Sequence, residues 1–245
     1  MAKRILISVL TPTKNRASTY VPMCIESVQG QRQTDFDFEH IIVNDGSTDN
    51  TAEVLKQYAK KYPNIKIINR KVSGGPAKAY NSAFKKSKGS LIVPFDDDDI
   101  MPPASLQIRY EYMRDNPRVD WSSGYLLHID ENNKLMLDKM DQATPDIPSQ
   151  KRLFATMIAT NVIKNDTVTI RRQALTKAGG WDEKIHAGQD WGLWTDLLFH
   201  GCRHGLIKSY LAIYRLHKKM RSANFSQDAG WRQTNLYCKE KYNIK

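Results

Sequence analysis

The sequence predicts an α/β protein: a Rossmann-like, mostly parallel central sheet flanked by helices, continued by a mixed second half. Three observations predict it. Strand-like and helix-like segments alternate through the first hundred residues, the rhythm of a parallel sheet with helices on its faces. After residue 100 that alternation gives way to longer polar connections. Finally, the constellations "TPTKNR", "NDGSTD" and "FDDDDI" each follow an apolar run, at the carboxyl edge where open α/β sheets bind ligands.

In order, "ILISVLT" (5–11), "EHIIVND" (39–45), "NIKIINR" (64–70) and "SLIVPF" (90–95) read as strands, being apolar and β-branched or alternating. Between them, Thr19 to Gln29 carries Val21, Ile25 and Val28 at helical spacing. Thr51 to Tyr62 carries Val54, Leu55, Tyr58 and Ala59 behind the cap-rich "DGSTDN". Pro76 to Lys86 carries Ala79, Ala83 and Phe84, with proline in its first turn. Beyond residue 100, 103–117 predicts a helix ended by Asn-Pro, and 119–137 a hairpin turning at Glu-Asn-Asn-Lys. Residues 138–150 predict a polar loop, 161–172 a strand, 189–201 a helix and 205–217 a last strand. One domain, 1–245, is the economical reading, with a nucleotide-binding half (1–100), a more irregular half (101–217) and a basic C-terminal tail (218–245).

Composition excludes several classes. Hydrophobic residues at 40% and charged residues at 26% describe a globular chain, and no apolar run approaches the length of a membrane span. The opening "MAKRILISVLTPTKN" reads as a first strand rather than a signal peptide. Cys24, Cys202 and Cys238 are odd in number and form no CxxC pair, against a disulfide framework or structural zinc and in favour of a reducing, cytoplasmic location. The net charge of +11 suggests a polyanionic partner: nucleic acid, nucleotide phosphates, or an anionic membrane on whose inner face the protein could sit.

The run "FDDDDI" needs its own account. Neighbouring carboxylates repel by roughly 1 kcal/mol in water and several times that near a protein interior. A shared hard divalent cation, Mn²⁺ or Mg²⁺, removes that repulsion; a solvated turn is the plainer alternative. "NDGSTD" taken alone reads as a turn and helix cap. No GxxxxGK[ST] loop is present and no GxGxxG follows the first strand, so neither a P-loop nucleotidase nor a dinucleotide dehydrogenase is supported. A cation bridged by a diphosphate suits a nucleotide-sugar donor, because it stabilises the charge on a departing nucleoside diphosphate.

Taken together, "SVLTPTKNRA", "IIVNDGSTDNT", "GGPAKAYNSAFKKSKGSLIVPFDDDDIMPP" and "GGWDEKIHAGQDWGLW" resemble the family 2 glycosyltransferases of the GT-A fold, collinearly from about residue 5 to residue 217. The resemblance implies an inverting, metal-dependent transfer of one sugar from a nucleoside-diphosphate donor, UDP first among them, to a hydroxyl. It makes 1–100 the nucleotide-sugar-binding half and 101–217 the acceptor-binding half. Thr11, Pro12, Thr13, Arg16, Asp45, Gly75, Lys78, Asn81, Asp96 and Asp97 would contact the donor, Asp45 through its nucleobase. Counting from Pro103, Asp96 and Asp98 form the DxD pair, with Asp98 the direct metal ligand and Asp99 the tolerant end. His217 stands where some GT-A enzymes place a further ligand. Asp190 matches the base that deprotonates the acceptor, although on pattern alone it reads as a helix cap. Trp181, Asp182, Gln189 and Trp191 would line the acceptor pocket, the tryptophans having a plain core reading as well. Arg215, Lys218, Lys219 and Arg221 could draw in the diphosphate or form a solvated tail. Three residues depart from the family pattern: Asn44 and Gln189 replace acids, and Tyr80 replaces an arginine. A lipid-linked or cell-surface saccharide is the expected acceptor, with hydroxymethylated or sugar-modified DNA the alternative. A nucleotidyltransferase and a non-catalytic basic module are the rivals from other classes.

Overall fold

Seven strands build one sheet in the computed structural model, which describes residues 4–18, 20–139, 145–218 and 229–244. The first half runs β1 (Ile5–Thr13), α1 (Val21–Gln29), β2 (Phe36–Asp45), α2 (Thr51–Lys61), β3 (Ile65–Arg70), α3 (Gly75–Lys86) and β4 (Leu91–Pro94). The second adds α4 (Ser105–Asp115), β5 (Trp121–Ile129), α5 (Gln150–Ala159), β6 (Thr169–Arg171), α6 (Arg172–Ala178), α7 (Gln189–Phe199), β7 (His204–Arg215) and α8 (Ala229–Lys241). Strand order is β3-β2-β1-β4-β6-β5-β7, with β6 the antiparallel strand in an otherwise parallel sheet. The α/β architecture expected from the alternating rhythm is therefore present, and the carboxyl ends of β1, β2 and β4 open on one edge.

Strands buried on both faces explain the nearly continuous apolar runs. Ile7 and Val9 point to the α1–α4 side, where they meet Cys24, Val28, Leu106 and Met113. Leu10 and Ile92 point to the opposite side, toward α3, α5 and α7, where Ala79, Leu153, Leu193 and Trp194 pack. Helix starts follow local chemistry: α1 and α3 carry proline in the first turn. Before α2, Asp49 accepts hydrogen bonds from Thr51 N and Oγ1.

The second half departs from the expected elements. The predicted hairpin forms one arm only. Asp130 accepts from the Asn132 and Lys134 amides and closes the turn, but the return chain makes a single bridge, Leu135 to Ile129. β5 instead finds β6 and β7 as neighbours. In the predicted strand 161–172, residues 165–167 coil into a 3-10 turn and Thr169–Arg171 alone pair. Helices α5, α6 and α8 were not expected. α5 buries only Leu153, Met157 and Ile158, and α6 only Ala174 and Leu175, too few apolar positions to set a period. α8 lies within the predicted tail and docks on α5 and α7 through the buried Thr234 and Cys238. Lys219 and Arg221 lie outside the described residues. No helix among the described residues is long and apolar enough to cross a membrane.

One buried cation ties distant segments of the second half together. Arg109 is fully inaccessible and donates to the carbonyls of Asp166, Val168 and Leu211 and to the hydroxyls of Ser105 and Thr169. Burial pulls its pKa down to about 9, so it stays charged at neutral pH. Arg109→Met leaves those carbonyls buried without donors. It is expected to cost about 3–5 kcal/mol, on the order of 10 °C in Tm, which a thermal melt measures.

Candidate active site

A cleft of about 510 Å³ opens at the carboxyl edge of the sheet. One wall comes from the loops after β1 and β2 (Pro12, Thr13, Lys14, Arg16, Asp45). The floor is Asp96–Asp98 after β4. The far wall is Ala187–Asp190 at the start of α7, with Asn165, Tyr214 and Arg215 closing the site.

Asp45, at the tip of β2, has its oxygens fully engaged. Oδ1 takes Arg70 Nε at 2.9 Å and the Gly74 amide at 3.0 Å; Oδ2 takes Ser73 Oγ at 2.7 Å and the Gly75 amide at 2.9 Å. A carboxylate offers about four acceptor positions, so Asp45 organises the 73–75 turn here. A nucleobase reaches it only by exchanging with one of these donors. Asn44, which departs from the family's acid, pairs with Asn69 at 3.0 Å and accepts the Ser47 amide.

The acid run turns at Asp97–Asp98, just past β4, and its members enter several environments. Asp96 accepts from Tyr80 Oη at 2.6 Å and Asn165 Nδ2 at 3.2 Å, while its amide donates to Asp166 Oδ1 at 2.6 Å. Asp98 Oδ2 lies 3.0 Å from His217 Nε2 and 3.4 Å from Arg16. Asp99 is turned inward, 1% exposed, and accepts the Arg215 amide at 2.8 Å. That overturns the expectation of a tolerant end: Asp99 is a buried anchor for β7. Arg16 and Arg215 both lie over the Tyr20 ring, which also packs against the His217 imidazole at 4.7 Å.

The electrostatics retain the repulsion that the sequence announced. Burial, then the charges of Asp166 and Asp98, pushes Asp96 and Asp99 well above the ordinary carboxylate range. Burial and the neighbouring Asp98 raise Asp97 to about 7, and burial raises Asp166 to about 6. Asp97 Oδ2 and Asp99 Oδ2 are buried without a hydrogen-bond donor, so each needs a proton or a nearby cation. No three His, Cys, Asp or Glu side chains form a ready-made ligand set among the described residues. The adjacent Asp98 and His217, in this electron-rich surround, fit a hard divalent ion completed by oxygens from elsewhere.

Asp190 occupies the first turn of α7, where Gly188 at φ 71° lets the chain bend into the cleft. Burial raises its pKa, opposed by the Trp191 amide, by Asn161 Nδ2 at 3.1 Å and by the charge of Lys164. Its charge in turn raises Asp96, so the two carboxylates share one poorly screened space.

Several expected contacts lie elsewhere. Thr11 is buried beneath the sheet edge, 2.9 Å from His40 Nε2. Lys78 is exposed outside the cleft, on α3. Asn81 clasps the Trp181 backbone, accepting its amide and donating to its carbonyl. Trp181 is core, stacked on Tyr80 at 4.8 Å, and Trp191 is core with Nε1 donating to Met157 O. Asp182 faces away, bonded to Tyr237 and Lys241. Pro12, Thr13, Arg16, Asp45, Gly75, Asp96, Asp97, Asp98, Gln189 and Asp190 do line the cleft. Sequence reasoning missed Asn161, Asn165 and Asp166, which sit in turns whose composition carries no period. It also missed Tyr20 as a platform for the two arginines.

A mostly parallel sheet with a carboxylate run at its edge, faced across a cleft by a half-buried aspartate opening a helix, is the architecture of a GT-A glycosyltransferase. The chain belongs to glycosyl transferase family 2, whose model matches residues 8–179. An uncharacterized glycosyltransferase of Methanocaldococcus jannaschii is 25% identical over 97% of this chain and 83% of its own. The O-antigen biosynthesis glycosyltransferase WbnJ of Escherichia coli is 28% identical over 89% of this chain and 84% of its own. Among solved structures, S. aureus TarS 1–349 in complex with UDP-GlcNAc superposes with a TM-score of 0.70 at 18% identity, covering 90% of this chain and 61% of that one. The mannosyltransferase PcManGT from Pyrobaculum calidifontis in complex with GDP-Man and Mn²⁺ gives 0.72 at 16% identity, covering 100% and 66%. This chain thus spans less than two thirds of either solved chain.

Proposed function

We propose that the protein transfers a single sugar from a nucleoside-diphosphate donor, UDP first among them, to a saccharide hydroxyl with inversion at the anomeric carbon. The observation that carries this reading is the placement of Asp190 across one cleft from Asp96–Asp98. Asp190, raised by burial, takes the acceptor proton. The acceptor oxygen then bonds to the anomeric carbon as the bond to the diphosphate breaks, and the nucleoside diphosphate leaves with the electron pair. Arg16 and Arg215 face the departing charge. Asp98 and His217 would hold Mn²⁺ or Mg²⁺, with Asp96 beside them, and the bound ion would neutralise the leaving diphosphate. Both solved relatives carry nucleotide sugars and one carries Mn²⁺, which supports donor and metal alike. The name of the E. coli relative supports a cell-surface saccharide as acceptor; nothing in the cleft favours nucleic acid. The net charge of +11 suits work at the inner face of an anionic membrane, where a lipid-linked acceptor would lie.

A thermal-shift screen of nucleotide sugars, with and without Mn²⁺, tests donor and site together. A true donor near one hundred times its Kd adds about 2.7 kcal/mol, roughly 5–10 °C in Tm for a chain of this size. No metal-dependent shift with any nucleotide sugar would sink the reading. So would release of pyrophosphate instead of a nucleoside diphosphate.

A further inference from the structure

No described side chain of helix α8 lines the cleft, yet hydrogen bonds from it gather on the segments that present Asp190. Tyr237 Oη donates to Asp182 Oδ2 at 2.7 Å, and Lys241 Nζ bridges Asp182 at 3.0 Å and Asp196 at 3.0 Å. Asp182 begins the loop that ends at Gly188, and Asp196 lies on α7 itself. Thr234 Oγ1 donates to the carbonyl of Ala187, directly before that glycine. Asn235 Nδ2 donates to the carbonyl of Ile158 at the end of α5. Two residues past α5 comes Asn161, the side chain that holds Asp190 Oδ2.

We infer that α8 is a positioning clamp for Asp190, pinned by the Lys241 bridge between Asp182 and Asp196. This rests on Asp190 being the base. The physical case is that the 182–188 loop leads into α7 through Gly188 in the left-handed region, while its own hydrogen bonds, from the Lys184 and Ile185 amides to Asp182, hold its start. The loop needs an external strut, and α8 supplies one at each end. A second strut reaches α5, so the carboxylate and its Asn161 donor are held to the same helix. Asp196 is nearly inaccessible and its pKa is raised to about 6 by burial. Lys241 is the cation that keeps this buried carboxylate ionised at neutral pH and hence the bridge intact. Lys241, Tyr237, Thr234 and Asn235 are therefore positioning residues rather than catalytic ones.

The test is a kinetic double-mutant cycle on the full chain with the nucleotide sugar and metal that the thermal screen selects. Lys241→Met should lower kcat roughly tenfold, the scale of a sub-ångström misplacement, with KM for the donor within about twofold. Lys241→Arg should restore most of the rate. In an Asp190→Asn background, where residual product is read over long incubations, Lys241→Met should add no further loss, because the group it positions is gone. Equal losses in both backgrounds, or no loss in the wild-type background, would overturn the clamp. If Asp190→Asn alone transfers at the wild-type rate, the base assignment has failed and the clamp falls with it, a result visible in that single arm. Should Lys241→Met not fold, Tyr237→Phe removes one hydroxyl donor only and goes through the same cycle, with an expected loss of about threefold.

Discussion

Asp190→Asn is expected to lower transfer by about 10²–10⁴-fold while leaving donor binding unchanged. The amide keeps the shape of the carboxylate and can keep a contact with Asn161, so the loss reports the missing proton acceptor rather than a collapsed loop. The pH dependence gives an independent check. A base works deprotonated, so kcat/KM falls as pH drops through its pKa. Burial raises Asp190, which places that falling limb above the ordinary carboxylate range. Asn161→Ala removes a hydrogen bond that lowers the pKa, and should move the limb to still higher pH. A profile that is flat across this range, or Asp190→Asn at wild-type rate, excludes Asp190 as the base. Gln189 enters here as well: where the family pattern has an acid whose charge would raise the base, this chain relies on desolvation.

The second large effect is a stability that falls as pH rises, and that a divalent cation restores. Asp97 moves from 3.8 to about 7 on folding, and Asp166 from 3.8 to about 6. At these two carboxyls the native state therefore binds more protons than the unfolded one between about pH 4 and 7. Their contribution is complete below the unfolded pKa and is lost as pH rises through the folded value. Carboxylates held low, such as Glu39 and Asp182, act in the opposite sense below about pH 4.5, and the buried neutral His40 and His204, pulled down to about 3 and about 4, do so up to about pH 6.5. Each tenfold gain in proton affinity on folding is worth about 1.4 kcal/mol, so the carboxyl loss and the histidine gain largely offset below about pH 6.5, and the net fall in the metal-free protein belongs to about pH 6.5–7.5. There it should reach about 1 kcal/mol or more, a few degrees in Tm. Mn²⁺ should recover much of it at pH 7.5 and little at pH 5. Asp98→Ala should abolish the response to Mn²⁺ and the transfer activity, and raise the Tm of the metal-free protein at pH 7.5 by relieving repulsion. A metal-free Tm that climbs from pH 6.5 to 7.5 would contradict this account.

Most of the first half was legible because its signals are local. β1, β2 and β4 are buried on both faces and must be apolar throughout, and the polar residues that follow them mark the ligand-binding edge. Asp96–Asp98, Arg16 and Asp190 share one cleft. The second half was less legible because its elements are short and take their stability from distant partners. Thr169–Arg171 is a strand only because β4 and β5 stand on either side of it. Residues 165–167 coil where Arg109 collects the carbonyls of Asp166 and Val168, and α6 shows too few apolar residues to set a period.

The sequence by itself determined the first four strands, the acid run at their edge and the membership of family 2, since each rests on short contiguous motifs. The tertiary structure alone decided which members of that run face the cleft. The turn at Asp97–Asp98 sends Asp99 inward to β7 while Asp98 meets Arg16 and His217, the latter over a hundred positions away. It also decided that Trp181 and Trp191 are core, that Asp45 is occupied by Arg70 and the 73–75 turn, and that a helix hidden in a polar tail braces Asp190. The physical reason is common to all of these. A side chain's role depends on what removes it from water and what answers its charge, and those partners come from elsewhere in the chain.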